Sequence, residues 1–213
     1  MMKINYDAEM LKILEKNKGK RILLHSCCGP CSSYVIRELS RDLKVTVLYY
    51  NPNIEPKEEY IKRKREQIRL IEEYKKGMDV SFLDCDYENE IYEEKIKGLE
   101  QEKEGGARCK ICFHLRLLKT ATLAKNGYDF FGTTLTVSPH KNATVINTIG
   151  LFIEKKIGVP FLVSDFKKRE GYKKSILYAK EFSLYRQDYC GCQYARKNSL
   201  KKEGVEWKLE SKE

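Results

Sequence analysis

Short apolar runs alternating with longer amphipathic stretches leave this chain few folds to choose from. Arg21 to Ser26, Lys44 to Tyr50, Val80 to Leu83, Asp129 to Leu135 and Pro160 to Ser164 read as five buried strands. Between them, apolar residues recur at helical spacing: Val35, Ile36, Leu39 and Leu43; then Ile61, Ile68 and Ile71 in a helix opened by Pro56 and closed by Gly77. A charged helix is expected over about Glu88–Lys103. Leu115, Leu118 and Thr122 belong to another, ended by Gly127. Ser138-Pro139 predicts the start of a helix carrying Val145, Ile149, Phe152 and Ile153. Strands alternating with crossover helices define an α/β chain: a single doubly wound, Rossmann-like parallel sheet of about five strands, followed by a cysteine-rich C-terminal segment. At 213 residues one domain spanning 1–213 is expected, with 1–19 as an N-terminal extension and 199–213 as a charged tail.

In such a sheet, ligands bind beyond the carboxyl ends of the strands, where the strand order reverses. The first strand runs straight into Cys27-Cys28-x-x-Cys31. Asp84-Cys85-Asp86 ends the third, and Thr133 to His140 follows the fourth. HSCCGPCSS therefore stands where a nucleotide-binding protein carries a glycine-rich phosphate loop, and its bulky thiols point to metal ligation instead. Pro30 suits the first turn of the following helix, whose N-terminal end favours thiolate over thiol.

Seven of the eight cysteines fall into three clusters, the other two being Cys109-x-x-Cys112 and Cys190-x-Cys192. Cys109 and Cys112, at i and i+3, present both thiols on one helical face, and Gly105-Gly106 permits close backbone approach to a bulky group. Cys190 and Cys192 are close enough to bind one metal or to form a strained, easily reduced disulfide. A structural zinc site uses four ligands and leaves three thiols unexplained. A [4Fe–4S] cluster also takes four thiolates, leaving the others for a second metal or a redox pair. Cys85, alone on an apolar strand, reads as an ordinary packed cysteine, and His25 as a packed histidine bonded locally. His114, His140, Asp84, Asp86, Asp165 and Asp188 lie near the clusters or on the strand-end edge, as candidate oxygen or nitrogen ligands or proton carriers.

The mixed-charge start, MMKINYDAEMLKILEKNKGK, lacks the apolar core of a signal peptide, and no apolar run approaches the roughly 20 residues of a membrane helix. The expectation is a cytoplasmic protein without a membrane partner, whose thiols stay reduced and serve metal binding or catalysis. The net charge of +10 suits a polyanionic partner such as RNA. Its basic runs, Lys62-Arg63-Lys64-Arg65, Lys167-Lys168-Arg169 and Arg196-Lys197, must converge in the fold to form one patch.

CCGPC after the first strand, YNPNIEPKEEYIKR after the second and EGGARCKICFHLRL before a helix resemble the epoxyqueuosine reductase QueH family. So do GTTLTVSPHKN, FLVSDFKKREGY and LYRQDYCGCQYA, in the family's order from about Lys20 to Lys197. The resemblance implies a sheet of the nucleotide-α-hydrolase (HUP) kind. It also implies the last step of queuosine biosynthesis: reduction of epoxyqueuosine to queuosine at the wobble position of tRNA, the oxygen leaving as water. The substrates it implies are tRNAs with a GUN anticodon (Asp, Asn, His, Tyr), with a separate electron donor. The cofactors it implies are a [4Fe–4S] cluster and a second, mononuclear iron, and no cobalamin.

Such chemistry takes two electrons, protons and a Lewis-acidic metal for the departing oxygen. On this reading Cys27, Cys28, Cys109 and Cys112, pairs that open at helix starts, bind the cluster. Cys190 and Cys192 form a redox-active dithiol or part of a second metal site, Cys31 is a further metal ligand, and Asp188 joins the catalytic set. Arg63, Arg65, Arg108 and Arg116 are expected phosphate contacts. Two rivals stand beside it. One is a cluster-dependent tRNA-thiolating enzyme, which wants a phosphate loop after the first strand. The other is a zinc-stabilised RNA-binding module.

Overall fold

The computed structural model describes residues 4–196. The charged tail expected at 199–213, and Lys197 of the third basic run, lie outside the described residues. Four strands form one parallel sheet, β1 (Arg21–His25), β2 (Lys44–Leu48), β3 (Val80–Leu83) and β4 (Phe130–Thr133), in the order β3-β2-β1-β4. The order reverses beside β1, whose two neighbours are β2 and β4. Four of the five residues of β1 are buried because both faces of the sheet are covered. Ile22 and Leu24 join one core with α2 (Gly29–Leu39), α3 (Lys57–Lys75) and α7 (Gly171–Glu181). Leu23 joins the other, with α5 (Ala107–Ala124) and α6 (Ala143–Ile157). α1 (Tyr6–Lys16) belongs to the body of the molecule: Met10 and Leu14 enter the first core, and Arg169 bonds the buried Asp7 at 3.1–3.2 Å.

Three expectations need correction. The fifth strand is reduced to a single parallel bridge, Phe131 to Phe161. Phe131 N donates to Pro160 O and Leu162 N to Phe131 O, but Asn147 of α6 then takes both backbone groups of Ser164, at 2.8 and 2.9 Å, and Glu154 takes Phe161 N. Side chains of α6 thus occupy the groups a ladder would use. The helix expected from Ser138-Pro139 begins instead at Ala143. Its N-cap is Asn142, whose side chain accepts from Val145 N, and a 3₁₀ turn (Thr134–Val137) fills the interval after β4. The long charged helix is only α4 (Asn89–Lys95). Beyond it the guanidinium of Arg108 draws in the carbonyls of Leu99, Glu100 and Glu102, holding a chain of turns. Among the described residues no helix is long and apolar enough to cross a membrane.

Candidate metal centre

Parallel strands bring the loops after β1 and β4 to one edge, at the point where the strand order reverses. The loop after β1 is fixed from several sides. Ser26 Oγ and Ser32 Oγ both donate to Gln67 Oε1, at 2.6 and 2.8 Å, Asn51 Nδ2 donates to Ser26 O, and Tyr74 Oη to Ser33 O. Cys28 caps α2, Gly29 and Pro30 form its first turn, and Cys31 follows. The Sγ atoms of Cys27, Cys28 and Cys31 all lie within 4.8 Å of one another. Hydrogen bonding with Cys28 and Cys31 holds Cys27 well below the ordinary thiol value, and Lys141 and Arg116 add to this. Cys28 and Cys31 are pushed up, first by their hydrogen bonding with Cys27, Cys28 to about 12. Three sulfurs this close on one loop are the arrangement expected of a metal-ligand set.

The other clustered thiols, Cys109, Cys112, Cys190 and Cys192, lie near enough to act on one another's charge. Cys112 and Cys192 are buried in one small cluster with Tyr92, Ile96 and Ala195, and Cys190 packs against it. Burial raises Cys112 to about 12 and Cys192 to about 11, as it raises Cys109, whose Sγ accepts from Gly105 N at 3.2 Å. All eight cysteines are free thiols. Cys85 stands apart, half-buried against the α5–α6 core.

A cavity of about 450 Å³ has thiols of both groups on its wall. Cys27, Cys31 and Cys190 reach it, with Ser138, His140 and Lys141 from the β4 side, Tyr172 and Ser175 from α7, and Arg186, Asp188 and Tyr189 from the segment before Cys190. Asp188 is thus on the cavity wall, exposed at its mouth. Among the other candidate acids, Asp84 and Asp165 are ion-paired to Lys64 and Lys167. His25 is structural, as expected: Nδ1 lies 3.0 Å from Thr133 Oγ1 and Nε2 3.1 Å from Tyr50 O, joining β1 to its neighbours. A carbonyl only accepts, so Nε2 carries the proton, and burial drives the imidazole down to about 3. His114 is off the site, in the apolar groove between α5 and α6.

The arginines expected on the surface are mostly inside. Arg63, Arg108 and Arg116 are 2%, 1% and 1% exposed, which removes them as phosphate contacts; Arg65 alone of the four is exposed. Arg63 pairs with Glu59 at 2.6 Å and donates to Cys190 O at 3.3 Å. It pins the C-terminal cysteine segment to α3, assisted by Glu55 N, which donates to Gly191 O at 2.9 Å. Gly191 has φ +118°, and a methyl there would lie 2.9 Å from Ile54 Cγ1 and 3.0 Å from Arg63 Nη1. Gly191→Ala is expected to cost about 1–3 kcal/mol locally and to loosen this segment. Faster maleimide labelling of Cys190 and Cys192 would report it, and an unchanged rate would refute it.

Sequence reasoning missed the charge balance of the site. Arg116 has no carboxylate partner among the described residues. Its Nη2 donates to Cys112 Sγ at 3.1 Å, Nε to Cys112 O and Nη1 to Asn51 Oδ1, both at 3.3 Å. Burial works against its charge, but Cys112, Cys190 and Cys27 outweigh it and hold Arg116 above the ordinary arginine value. The i, i+4 spacing of Cys112 and Arg116 was the available signal. A buried cation facing thiols, with no carboxylate, fits a centre whose ligands are thiolates and whose net charge is negative.

Fold and site together define a doubly wound α/β protein whose strand-end cavity is walled by cysteines where a phosphate loop would otherwise lie. The family described as epoxyqueuosine reductase QueH matches residues 22–198, and the chain belongs to that family. An epoxyqueuosine reductase QueH from Streptococcus pyogenes serotype M1 is 44% identical over 202 residues, covering 92% of this chain and 79% of that protein. Another from Staphylococcus epidermidis is 40% identical over 220 residues, covering 99% and 91%. Among solved structures, an NMN synthetase from Francisella tularensis superposes with a TM-score of 0.43 at 10% identity, over 96% of this chain and 87% of that one.

Proposed function

We infer that this chain reduces epoxyqueuosine to queuosine in tRNA, with an iron–sulfur centre held by the clustered thiols. In that reaction both ring C–O bonds of the epoxide break and a carbon–carbon double bond forms. Two electrons enter, and the oxygen takes two protons and leaves as water. The observation that carries the reading is the cavity with Cys27, Cys31 and Cys190 on its wall and two cations, Arg116 and Lys141, beside the thiols. At about 450 Å³ it falls within the roughly 300–1,000 Å³ usual for small-molecule pockets, enough for one splayed-out nucleoside.

Cys27, Cys28, Cys109 and Cys112 are the proposed ligands of a [4Fe–4S] cluster, which when bound supplies electrons one at a time. Cys190 and Cys192 act as a redox dithiol or, with Asp188 and Cys31, hold a second iron. No cobalamin takes part. The chain's own groups do the rest. Arg116 balances thiolate charge, Arg63 keeps Cys190 at the cavity wall, and Tyr172 and Tyr189 offer ring faces to a base. Arg186, with no carboxylate partner among the described residues, is placed for a phosphate. Substrates are tRNAs with a GUN anticodon, the electron donor is a separate reductant, and the setting is the cytoplasm.

The decisive experiment is anaerobic incubation of iron-loaded protein and a strong reductant with tRNA bearing epoxyqueuosine, followed by nucleoside mass analysis. Loss of one oxygen from the nucleoside is expected, and persistence of the epoxide refutes the reading. The ligand set is checked separately, because Cys109→Ala is expected to lose most of its iron and sulfide. Undiminished content would sink that assignment.

A further inference from the structure

Lys141 sits in a turn closed by its own N–H to Ser138 O at 3.2 Å, directly before the N-cap of α6. Lys167 Nζ clamps the turn by donating to Thr136 O at 3.1 Å and Lys141 O at 3.4 Å. The side chain leaves this fixed base for the cavity wall, which Cys27, Cys31 and Cys190 also line. Among the described residues its ammonium has no carboxylate and no hydrogen-bond partner. The other cations of the site are engaged: Arg63 by Glu59 and Cys190 O, Arg116 by Cys112 and Asn51, and Arg186, out at the mouth, by Tyr172 Oη.

A fixed cation with free N–H donors, facing open space beside the reducing groups, is suited to meet charge that develops only during reaction. We propose that Lys141 is a further catalytic residue, its ammonium donating hydrogen bonds to the oxygen leaving the substrate's three-membered ring and stabilising the negative charge that builds there. This rests on the epoxide-reduction reading above. When the first ring C–O bond breaks, the electron pair of that bond goes to oxygen. The two electrons come from the external reductant and the two protons from solvent, so Lys141 itself is unchanged over the cycle.

The test uses the full chain loaded with iron and sulfide, as wild type, Lys141→Met and Lys141→Arg, with dithionite as reductant. For the methionine variant kcat is expected to fall about 10²–10³-fold, as when one preorganised donor to an oxyanion is removed. KM should stay within about threefold, since the interaction strengthens in the transition state. Arginine is expected to recover about tenfold of the loss by restoring a charged donor. Iron and sulfide content, and the affinity for tRNA carrying the product, which lacks the bridging oxygen, should match wild type in both variants.

An unchanged kcat in Lys141→Met would overturn the proposal. Loss of iron would overturn it by making Lys141 a support of the metal centre. Equal weakening of substrate and product tRNA binding would make it a phosphate contact. If wild type itself leaves the epoxide intact, the parent reading falls and takes the proposal with it, an outcome distinct from wild type and variant turning over alike.

Discussion

Arg116→Met is expected to move two measurements in opposite directions: retained iron falls while the stability of the metal-free protein holds or rises. The guanidinium is 1% exposed and bonded only to a thiol, a carbonyl and an amide oxygen. In the metal-free protein near neutral pH its closest partner, the Cys112 thiol pushed up to about 12, is uncharged, so the buried guanidinium keeps its desolvation cost with less opposite charge to offset it, and methionine of similar length relieves that cost. In the loaded protein the same charge faces a thiolate-ligated, negatively charged centre. Its removal forfeits a charge-assisted hydrogen bond worth about 1.5–3 kcal/mol. That corresponds to roughly tenfold to a hundredfold weaker retention of the group. Iron and sulfide analysis after anaerobic desalting reads the first effect, and the urea midpoint of chelator-treated protein reads the second. Full iron retention in Arg116→Met would show that its charge does not serve the centre. Lys in its place should keep part of the iron, since a point charge survives but the fork that reaches Cys112 and Asn51 together does not.

The parallel, doubly wound sheet, and the edge on which the first cysteine cluster lies, followed from apolar runs and crossover helices in the sequence, whereas the order β3-β2-β1-β4 is set by long-range pairing and came from the fold. The fifth strand did not follow: Asn147, seventeen residues before Ser164, takes that segment's backbone groups, a long-range side-chain competition that no local pattern encodes. The thiols as a set were legible from spacing. Their grouping around one cavity required the fold, since Cys190 reaches Cys112 only because Arg63 and Glu55 tie its segment to the β2 side. The arginines show the limit most plainly. Lys62-Arg63-Lys64-Arg65 reads as a basic surface run, yet helical spacing turns Arg63 inward to Glu59, and Lys64 is neutralised by Asp84. Net charge reports how many cations a chain has, and burial decides which of them a partner can meet.

Gly171→Ala is expected to be among the most destabilising single-methyl additions in the described part of the chain. It opens α7, which packs against α2, and its backbone conformation is one that alanine adopts freely. What forbids the methyl is space: it would overlap the carbonyl oxygen of Phe166 and the ring edge of Tyr34, both buried. Trimming Tyr34 removes only half of the conflict, because the other half is backbone. Overpacking of this kind costs about 1–3 kcal/mol, and more where the obstacle is backbone, so a loss of about 3 kcal/mol or more is expected. For a chain of this size that lowers the melting midpoint by roughly 6–12 °C. Gly77→Ala, where a methyl meets nothing within 4 Å, is the matched control and should leave the midpoint almost unmoved. The displaced helix also carries Tyr172 and Ser175 on the cavity wall, so turnover of Gly171→Ala should fall even well below its melting midpoint. Equal midpoints for the two alanine variants would mean that α7 does not sit as tightly on α2 as this packing requires, and the cavity wall it forms would have to be redrawn.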